Sequence, residues 1–292
     1  MKAVVLKEAQ KLVVEEVPDL VAGEKEVVVK VRSVSICGSD LHIYNLAPFG
    51  PDIIMGHELA GTIVELGKGV EGWKKGDDVW VAGGGGCGEC LDCLKGNHND
   101  CRNLKIIASG DIQGGYAEYI KLPTTFLYPL PNGVSFRAAA QVDTLAIGYR
   151  AIEEARVGLG TSVVILGGGA IGLYALQCAK AAGAGPIILS EPTQLRADLG
   201  RKLGADIILD PTKVNIEERI KELTDGVGVD LVLECAGRKE TVEMSINLAR
   251  RTGRVVWMGV CLEEITFLPW FWVEKDITVQ WLNGTRGRDV HD

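Results

Sequence analysis

The sequence has no apolar run near the roughly 18 residues that a membrane-spanning helix requires, so we expect no membrane partner. Its first 16 residues alternate apolar and charged side chains, and we expect no secretory signal there. Positive charge is also in short supply, since 31 Lys and Arg residues stand against 39 Asp and Glu residues, a net charge of -8. Nucleic acid would repel such a chain and is not an expected partner. The sequence contains no internal repeat.

What is present indicates a folded protein of more than one domain. The 292 residues exceed the usual size of a single hydrophobic core, and we therefore expect two domains. The hydrophobic fraction of 47% and the charged fraction of 24% are ordinary for globular proteins. Without an export signal we expect a cytoplasmic, reducing location, where eight cysteines would not form a disulfide framework. Metal binding is the first alternative use for them.

Two kinds of apolar pattern divide the chain. Up to about residue 148, short alternating runs punctuated by Gly and Pro predict antiparallel strands in a barrel or sandwich, at 3–6, 26–31, 59–65, 78–81 and 115–120. From about residue 160, continuous apolar runs alternate with helical stretches, at 162–166, 186–190, 206–209, 230–233, 254–258 and 277–281. Continuous runs indicate strands buried on both faces of a parallel sheet, and six of them complete a doubly wound dinucleotide fold. The predicted fold class is α/β.

A glycine-rich turn of the form G-x-G-x-x-G follows the first of these continuous runs, with the residues Gly167, Gly168, Gly169, Ala170, Ile171 and Gly172. The first glycine permits the tight turn, the second lets the backbone approach a pyrophosphate, and the third packs helix on strand. The free N–H groups at the start of the helix attract the phosphates. Glu191 ends the next strand, where a carboxylate bonds the ribose hydroxyls and repels a 2′-phosphate, so we expect NAD rather than NADP.

Four cysteines are clustered in the pattern C-x2-C-x2-C-x7-C, at Cys87, Cys90, Cys93 and Cys101. Four thiolates on a short loop can close a tetrahedral shell and leave no position for a substrate, which is typical of a structural zinc site. Without metal, clustered thiols would be an oxidation hazard. We therefore expect one zinc ion at this loop.

A second set of metal-binding side chains is dispersed along the sequence and consists of Cys37, His57 and Asp143. Thiolate, imidazole and carboxylate together suit a catalytic zinc that keeps one position open. Their spacing alone does not establish a site, because a lone Cys or His is more often a buried structural residue.

Taken together, these features resemble the zinc-containing medium-chain dehydrogenases/reductases over nearly the whole chain. The resemblance rests on Cys37-Gly38-Ser39-Asp40-Leu41-His42, on Gly56-His57-Glu58, and on the four-cysteine loop and glycine-rich turn that follow in the family's order. The superfamily includes alcohol, sorbitol, butanediol and threonine dehydrogenases. The resemblance implies a GroES-like, mostly β catalytic domain at 1–148, a Rossmann NAD-binding domain at 149–284, and two zinc ions per chain.

The resemblance also implies which side chains surround the catalytic zinc. Cys37 and His57 match the first two ligands. Asp143 falls where polyol-type members carry a glutamate followed by proline, although Asp is shorter and Thr144 follows it here. Glu58 matches a carboxylate that approaches the metal during ligand exchange.

Four further positions match functional residues of the family. Asp40 matches the carboxylate that orients His57 by accepting its ring N–H. Ser39 and His42 match a proton relay from the substrate oxygen, through the nicotinamide ribose, to an imidazole near solvent, a task suited to a group that titrates near neutral pH. Arg196 matches a position that reaches the adenosine ribose.

The expected activity is hydride transfer between NAD and a small-molecule secondary alcohol, polyol or sugar alcohol, with zinc as the Lewis acid. Two alternatives stay open. One is NAD-dependent L-threonine 3-dehydrogenase, because residues 41–45 resemble that branch, although no group that pairs with the amino-acid charges is identifiable. The other is a non-catalytic redox sensor that binds NAD, against which the retention of the metal-site and relay residues argues.

The resemblance further implies a homodimer or homotetramer joined along the sixth strand of the Rossmann domain, at 277–281. In the family the chain then returns to the catalytic domain for a longer segment. Residues 285–292 match only the beginning of such a return. Either the sequence is a fragment, or the protein manages without most of that segment, and in both cases we expect the 292 residues to bind NAD weakly.

Overall fold

The computed structural model of the protein describes residues 1–110 and 112–285. Two compact units are present. Met1–Thr144 form the first unit, to which the chain returns at Gly284, and Leu145–Asn283 form the second. The domain boundaries expected after residues 148 and 284 remain predictions. The expected return segment at 285–292 lies outside the described residues, with the exception of Thr285.

The first unit consists mainly of short antiparallel strands. They are β1 (Lys2–Glu8), β2 (Lys11–Glu16), β3 (Glu26–Val34), β4 (Ile53–Ile54), β5 (Leu59–Leu66), β6 (Asp78–Val81), β7 (Gly84–Gly85), β8 (Lys105–Ile106), β9 (Tyr119–Pro123) and β10 (Leu127–Pro129). One sheet has the order β10-β6-β5-β3-β9 and another the order β2-β1-β4, while β7 pairs with β8. All of these pairs are antiparallel, and the mostly β architecture expected for this part of the chain is confirmed.

The pairing of β3 with β5 determines which loops meet in the first unit. Val29 and Ile63 lie opposite each other and are fully buried in the core of the five-stranded sheet. A Cβ at Gly61 would collide with the carbonyl of Lys30, so the close approach of the two strands requires glycine there. The pairing continues to the end of β3, and the residues after β3 therefore lie beside those that precede β5.

Short helices fill the connections of the first unit. They are α1 (Gly38–Leu46), α2 (Leu91–Leu94) and α3 (Phe136–Ala139), together with 3-10 helices at His98–Asp100 and Thr124–Phe126. The next helix, α4 (Val142–Glu154), carries the chain from the first unit into the second. Among the described residues, none of the helices combines the length and apolar character needed to cross a membrane.

The second unit alternates strands and helices. Its further elements are β11 (Val163–Leu166), α5 (Ala170–Ala181), β12 (Ile187–Ser190), α6 (Gln194–Leu203), β13 (Ile207–Leu209), α7 (Ile216–Leu223), β14 (Val229–Glu234), α8 (Lys239–Leu248), β15 (Ala249–Trp257), α9 (Trp270–Lys275) and β16 (Thr278–Trp281). The sheet is parallel with the order β13-β12-β11-β14-β15-β16. The six-stranded doubly wound fold predicted from the continuous apolar runs is confirmed.

The core of the second unit lies on both faces of this sheet. Val163 and Ile165 of β11 pack with α5 on one face, whereas Val164 and Leu166 pack with α8 on the other. A strand buried on both faces needs apolar residues at every position, which explains the continuous pattern in the sequence. The order of the strands reverses between β11 and β14, and in sheets of this kind ligands bind outside the carboxyl ends of the strands at that reversal.

Candidate catalytic and cofactor-binding sites

The segments that carry Cys37 and His57 are joined directly after the end of β3. The backbone N–H of Ser35 donates to the carbonyl of Glu58 at 2.9 Å. Cys37 immediately precedes α1, and His57 immediately precedes Glu58 in the loop that leads to β5. Two side chains that are 20 residues apart in the sequence, 37 and 57, are thereby brought to one place in the first unit.

Asp40, in the first turn of α1, is a buried carboxylate that connects these two segments. Its Oδ2 accepts hydrogen bonds from the backbone N–H of Cys37 at 2.9 Å and from the hydroxyl of Tyr116 at 3.0 Å. Its Oδ1 accepts one from the N–H of Gly56 at 3.3 Å and lies 3.6 Å from His57 Nδ1. Burial alone would raise the pKa of Asp40, but the adjacent imidazole lowers it. Asp40 is therefore positioned to orient the ring of His57.

His57 lies between this carboxylate and the thiol of Cys37. Burial alone would lower the pKa of His57, but Asp40 and Cys37 raise it to about 11. Its Nε2 lies 3.4 Å from Ser39 Oγ. The surroundings of the imidazole thus favour positive charge, and a bound cation can take the place of the proton.

Glu58 completes a group of three donors. Cys37, His57 and Glu58 each offer one ligand atom, and these atoms lie within 4.8 Å of one another. The carboxylate of Glu58 is buried, with Oε2 accepting from the Ser35 hydroxyl at 2.5 Å and Oε1 accepting from the hydroxyl of Thr144. Neither hydroxyl was identified from the sequence as part of the site, although Thr144 was noted there as a departure from the family pattern.

Asp143 lies beside this group but outside it. The backbone N–H of Gly83 donates to its carboxylate, and the hydroxyl of Thr285 donates to Oδ1 at 3.2 Å. Burial raises the pKa of Asp143, the neighbouring imidazole of His57 opposes that shift, and the charge of Glu58 adds to it. The structure therefore brings two carboxylates to the Cys37–His57 site, with Glu58 in the donor group and Asp143 adjacent to it.

The donor chemistry of this site fits a zinc ion. One thiolate, one imidazole and one carboxylate are the ligand types of catalytic zinc sites, in which a fourth position stays open. Several acidic groups share the site with a single imidazole, and their negative charge is expensive to bury without a compensating cation. A divalent metal ion supplies that compensation.

Ser39 and His42 both lie on α1. They are three residues apart, and side chains with this spacing share one face of a helix. Ser39 Oγ is close to His57 Nε2, as described above, and His42 is half-buried further along the helix. Both side chains therefore share the face of α1 that begins beside His57.

The four cysteines of the loop between β7 and β8 converge on one point. The Sγ atoms of Cys87 and Cys93 are 4.0 Å apart, and those of Cys90 and Cys101 are 3.8 Å apart. Zinc–sulfur bonds of about 2.3 Å in a tetrahedron place sulfur atoms about 3.8 Å apart, so the arrangement fits a zinc ion. All four thiols are free, and these separations are far longer than the roughly 2.05 Å of a disulfide bond. We call residues 84–106, from β7 to β8, the four-cysteine lobe.

In the second unit, the glycine-rich turn has the backbone geometry that its sequence predicts. Gly167 adopts a φ of 102°, and a Cβ there would lie 3.0 Å from the backbone nitrogen of Ala236. A Cβ at Gly169, the N-cap of α5, would meet nothing within 4 Å, so space is open at the start of this helix. At Gly172 a Cβ would collide with the carbonyl of Gly167. Ala170 and Ile171 form the first turn of α5, where backbone N–H groups point towards an incoming phosphate.

Glu191 lies directly after β12, next to this turn. Its Oε2 accepts the N–H of Gly168 at 2.7 Å, and its Oε1 accepts the N–H of Thr193 at 2.7 Å. Each carboxylate oxygen can accept more than one hydrogen bond, so capacity remains for ribose hydroxyls. Arg196 is exposed in the first turn of α6.

Glu234, at the end of β14, is a further carboxylate at this edge of the sheet that the sequence analysis missed. It is fully buried, and its Oε1 accepts hydrogen bonds from the backbone N–H of Ala236 and Gly237 at 2.9 Å and from the Thr241 hydroxyl at 2.8 Å. Its Oε2 has no partner among the described residues, and burial raises its pKa. A charged residue that closes a continuous apolar run, as Glu234 does after 230–233, was the signal available in the sequence.

Two family models match the chain. A model described as the alcohol dehydrogenase GroES-like domain matches residues 23–132, and one described as zinc-binding dehydrogenase matches residues 170–290. Sorbitol dehydrogenase of Bacillus subtilis is 34% identical over 265 residues, covering 89% of this chain and 75% of the relative. L-threonine 3-dehydrogenase of Pyrococcus horikoshii is 37% identical over 249 residues, covering 84% of this chain and 71% of the relative.

Solved structures resemble the whole described chain. A zinc-binding dehydrogenase from Sinorhizobium meliloti bound to NADP superimposes with a TM-score of 0.90 and 32% identity, covering 99% of this chain and 86% of the other. Galactitol-1-phosphate dehydrogenase from Escherichia coli gives a TM-score of 0.91 with 27% identity, covering 100% of this chain and 87% of the other. Both the sequence and the fold are therefore shared with zinc-containing dehydrogenases.

Proposed function

The chain belongs to the zinc-containing medium-chain dehydrogenases, and we propose that it transfers hydride between NAD and a secondary alcohol, polyol or sugar alcohol. The observation that carries the proposal is the convergence of Cys37, His57 and Glu58 within 4.8 Å, next to the hydroxyl of Ser39. The polyol class is supported by the similarity to sorbitol dehydrogenase and to galactitol-1-phosphate dehydrogenase.

We propose that the two donor sets hold two zinc ions per chain. The four cysteines of the lobe would hold a structural ion. Cys37, His57 and Asp143 would hold the catalytic ion, with Glu58 as the carboxylate that exchanges with Asp143 as ligands change. The excess of buried negative charge at the site supports this assignment, because each carboxylate there needs a nearby cation.

When bound, the catalytic zinc supplies a Lewis acid for the alcohol oxygen and the nicotinamide ring supplies the hydride acceptor. The chain's own residues then handle the proton. Ser39, next to His57 Nε2, would accept the proton of the substrate hydroxyl, and His42 on the same face of α1 would receive it through the nicotinamide ribose and pass it towards solvent. Asp40 keeps His57 in a fixed orientation throughout.

A substrate panel tests this function. We expect purified protein supplied with zinc to reduce NAD with a polyol or secondary alcohol, and the diagnostic measurement is kcat/KM for sorbitol, butanediol, simple secondary alcohols and L-threonine. The identity to L-threonine 3-dehydrogenase favours that activity as the second candidate, and a higher kcat/KM for threonine than for every polyol would select it. If the protein turns over no substrate of the panel, both the polyol or secondary-alcohol activity and the threonine activity are contradicted.

The cofactor preference depends on Glu191. We expect NAD to be favoured over NADP, because the carboxylate bonds ribose hydroxyls and repels a 2′-phosphate. Replacing Glu191 with serine should lower kcat/KM for NAD by about 10- to 100-fold, the value of about one charge-assisted hydrogen bond, and reduce the ratio of kcat/KM for NAD to that for NADP. Arg196 is exposed on α6 and available to a 2′-phosphate, so it would raise kcat/KM for NADP in the Glu191→Ser variant.

Asp210 offers a matched control for this measurement. It follows β13 as Glu191 follows β12, but its carboxylate accepts from Thr212 and pairs with Lys213 instead of contacting the glycine-rich turn. Asp210→Ser removes a similar charge from the same edge of the sheet and should leave the cofactor preference unchanged. Equal or better kcat/KM with NADP in the unaltered protein would show that Glu191 does not determine the preference.

We propose that the protein is a homodimer or homotetramer that assembles through β16. This strand is the last in the sheet order, and Trp281 on it is 60% exposed. A terminal strand with an exposed aromatic side chain can extend the sheet across a two-fold axis. A cytoplasmic location is proposed because none of the eight cysteines is paired in a disulfide, as expected in a reducing compartment.

A further inference from the structure

Asn99 lies in the 3-10 helix His98–Asp100, inside the four-cysteine lobe between Cys93 and Cys101. Its side-chain Nδ2 donates a hydrogen bond to the backbone carbonyl of Thr285, which is 186 residues away in the sequence. The neighbouring Gly284 adopts a φ of 64°, and a Cβ there would collide with Asn99 Nδ2. The chain that returns to the first unit therefore lies directly against Asn99.

Thr285 connects Asn99 to the metal site. It is buried, with 9% of its surface exposed, and its hydroxyl donates to Asp143 Oδ1 at 3.2 Å. The side chain of Thr285 thus contacts the carboxylate while its carbonyl is held by the lobe. Two hydrogen bonds lead from Asn99 to a proposed ligand of the catalytic zinc.

Asn99 also lies against the second segment that contacts Asp143. A Cβ on Gly84 would lie 3.6 Å from Asn99 Oδ1, and the preceding residue Gly83 donates its N–H to the Asp143 carboxylate. At Gly83 itself a Cβ would lie 3.1 Å from Asp143 Oδ2. One amide side chain therefore borders both pieces of backbone that hold this carboxylate.

The position of Asn99 depends in turn on the cysteines around it. The N–H of Cys101 donates to the carbonyl of His98 at 3.2 Å, and the N–H of Cys87 donates to Cys101 Sγ at 3.3 Å. The 3-10 helix is short and has little apolar burial of its own, so the sulfur cluster fixes its place.

We infer that Asn99 is a positioning residue, which holds Asp143 at the catalytic metal through Thr285. The four-cysteine lobe then determines the geometry of the catalytic site as well as its own fold. This inference rests on the proposed function, because it assigns Asp143 to the catalytic ion. A partner that orients a metal ligand typically contributes 10- to 100-fold to metal affinity, and for a residue two hydrogen bonds away we expect about tenfold.

The test uses the full chain with zinc kept on the four cysteines and Co2+ placed at the Cys37–His57 site. Two readouts are measured, the dissociation constant for Co2+ against a competing chelator and the visible absorption band of the bound Co2+. The variants are Asn99→Ala, Thr285→Val and their combination, with Asp143→Ala as the reference. Asn97→Ala is the matched control, since Asn97 lies in the same lobe and its side chain makes no capping hydrogen bond.

The positioning role predicts that Asn99→Ala weakens Co2+ binding about tenfold and shifts the absorption band, while the zinc on the four cysteines is retained. It also predicts that the double variant binds Co2+ no more weakly than Thr285→Val alone, because both changes act on the same contact between Thr285 and Asp143. Asn97→Ala should bind Co2+ as the unaltered protein does.

Three outcomes would overturn the inference. Suppose that Asn99→Ala or Thr285→Val binds Co2+ with the affinity and absorption band of the unaltered protein, while Asp143→Ala binds it more weakly. Asp143 then holds its place without the lobe. If Asn99→Ala loses the zinc of the four cysteines while Thr285→Val binds Co2+ normally, the weakened Co2+ binding of Asn99→Ala results from unfolding of the lobe. If Asp143→Ala itself binds Co2+ normally, Asp143 is no ligand, and the proposed metal set fails first.

Discussion

Replacement of Cys37 with serine is expected to abolish alcohol oxidation while both compact units stay folded. A serine hydroxyl does not replace a thiolate as a zinc ligand, so the donor group of Cys37, His57 and Glu58 would lose its soft, charged member. Lewis-acid stabilisation of developing charge is worth several kcal/mol, and we expect kcat/KM to fall by at least about 1,000-fold. Cys37 is only half-buried and belongs to none of the apolar core clusters of the described residues, so the fold should survive.

The measurement combines steady-state kinetics with zinc analysis and thermal unfolding. Cys37→Ser should retain about one zinc per chain, at the four cysteines, and a nearly unchanged Tm. Cys261→Ser is the matched control, because Cys261 is also a half-buried free thiol but belongs to the second unit and to neither group of potential metal ligands among the described residues. Normal turnover by Cys37→Ser would show that the catalytic zinc assignment is wrong.

The second large effect concerns the fold of the four-cysteine lobe. Cys90→Ser should release the structural zinc and cost at least about 3 kcal/mol, which corresponds to roughly 6–12 °C in Tm for a chain of this class. The lobe has few means of stability other than the metal, because Leu91, Leu94 and Ile106 are exposed on it. Its elements are also short, with two strands of two residues and a helix of four.

Thermal unfolding with and without a chelator measures this effect. A chelator strong enough to remove zinc should lower the Tm of the unaltered protein and change Cys90→Ser much less, since the variant has already lost that ion. Limited proteolysis should then cut first within residues 84–106. Two zinc ions per chain and an unaltered Tm in Cys90→Ser would contradict a structural role for the metal.

Much of the fold was predictable because the burial of a strand determines the pattern of apolar residues in its sequence. Strands β11 and β12 of the second unit are buried at every position, so each appears in the sequence as a continuous apolar run, and β11 (Val163–Leu166) differs from the predicted run by a single residue at its start. The four-cysteine lobe was predictable from spacing, since its ligands lie within 15 residues, 87–101. For the dispersed set, the residue types suggested metal ligands, but only the family resemblance connected them, because no local pattern links Cys37 with His57.

The contacts that complete the site could not be read from the sequence. Ser35 bonds Glu58 across 23 residues, and Thr144 bonds the same carboxylate across 86. Ser and Thr are common on loops, and only the assembled fold shows which hydroxyls meet a buried carboxylate. Glu234 was missed for a related reason, since a charged residue after an apolar run is usually read as the end of the strand.

The hydrogen bond between Thr285 and Asp143 has a consequence for the order in which the protein is made. The two residues are separated by 142 positions, and the whole of Leu145–Asn283 is synthesised between them. At ribosomal rates of about 5–20 residues per second, Asp143 leaves the ribosome roughly 7–28 s before its partner. During that interval the nascent first unit can hold Asp143 through Gly83 but not through Thr285. We therefore expect the four-cysteine lobe, whose ligands are local, to acquire its zinc early in translation, and the catalytic site to acquire its own only after Thr285 has emerged from the ribosome.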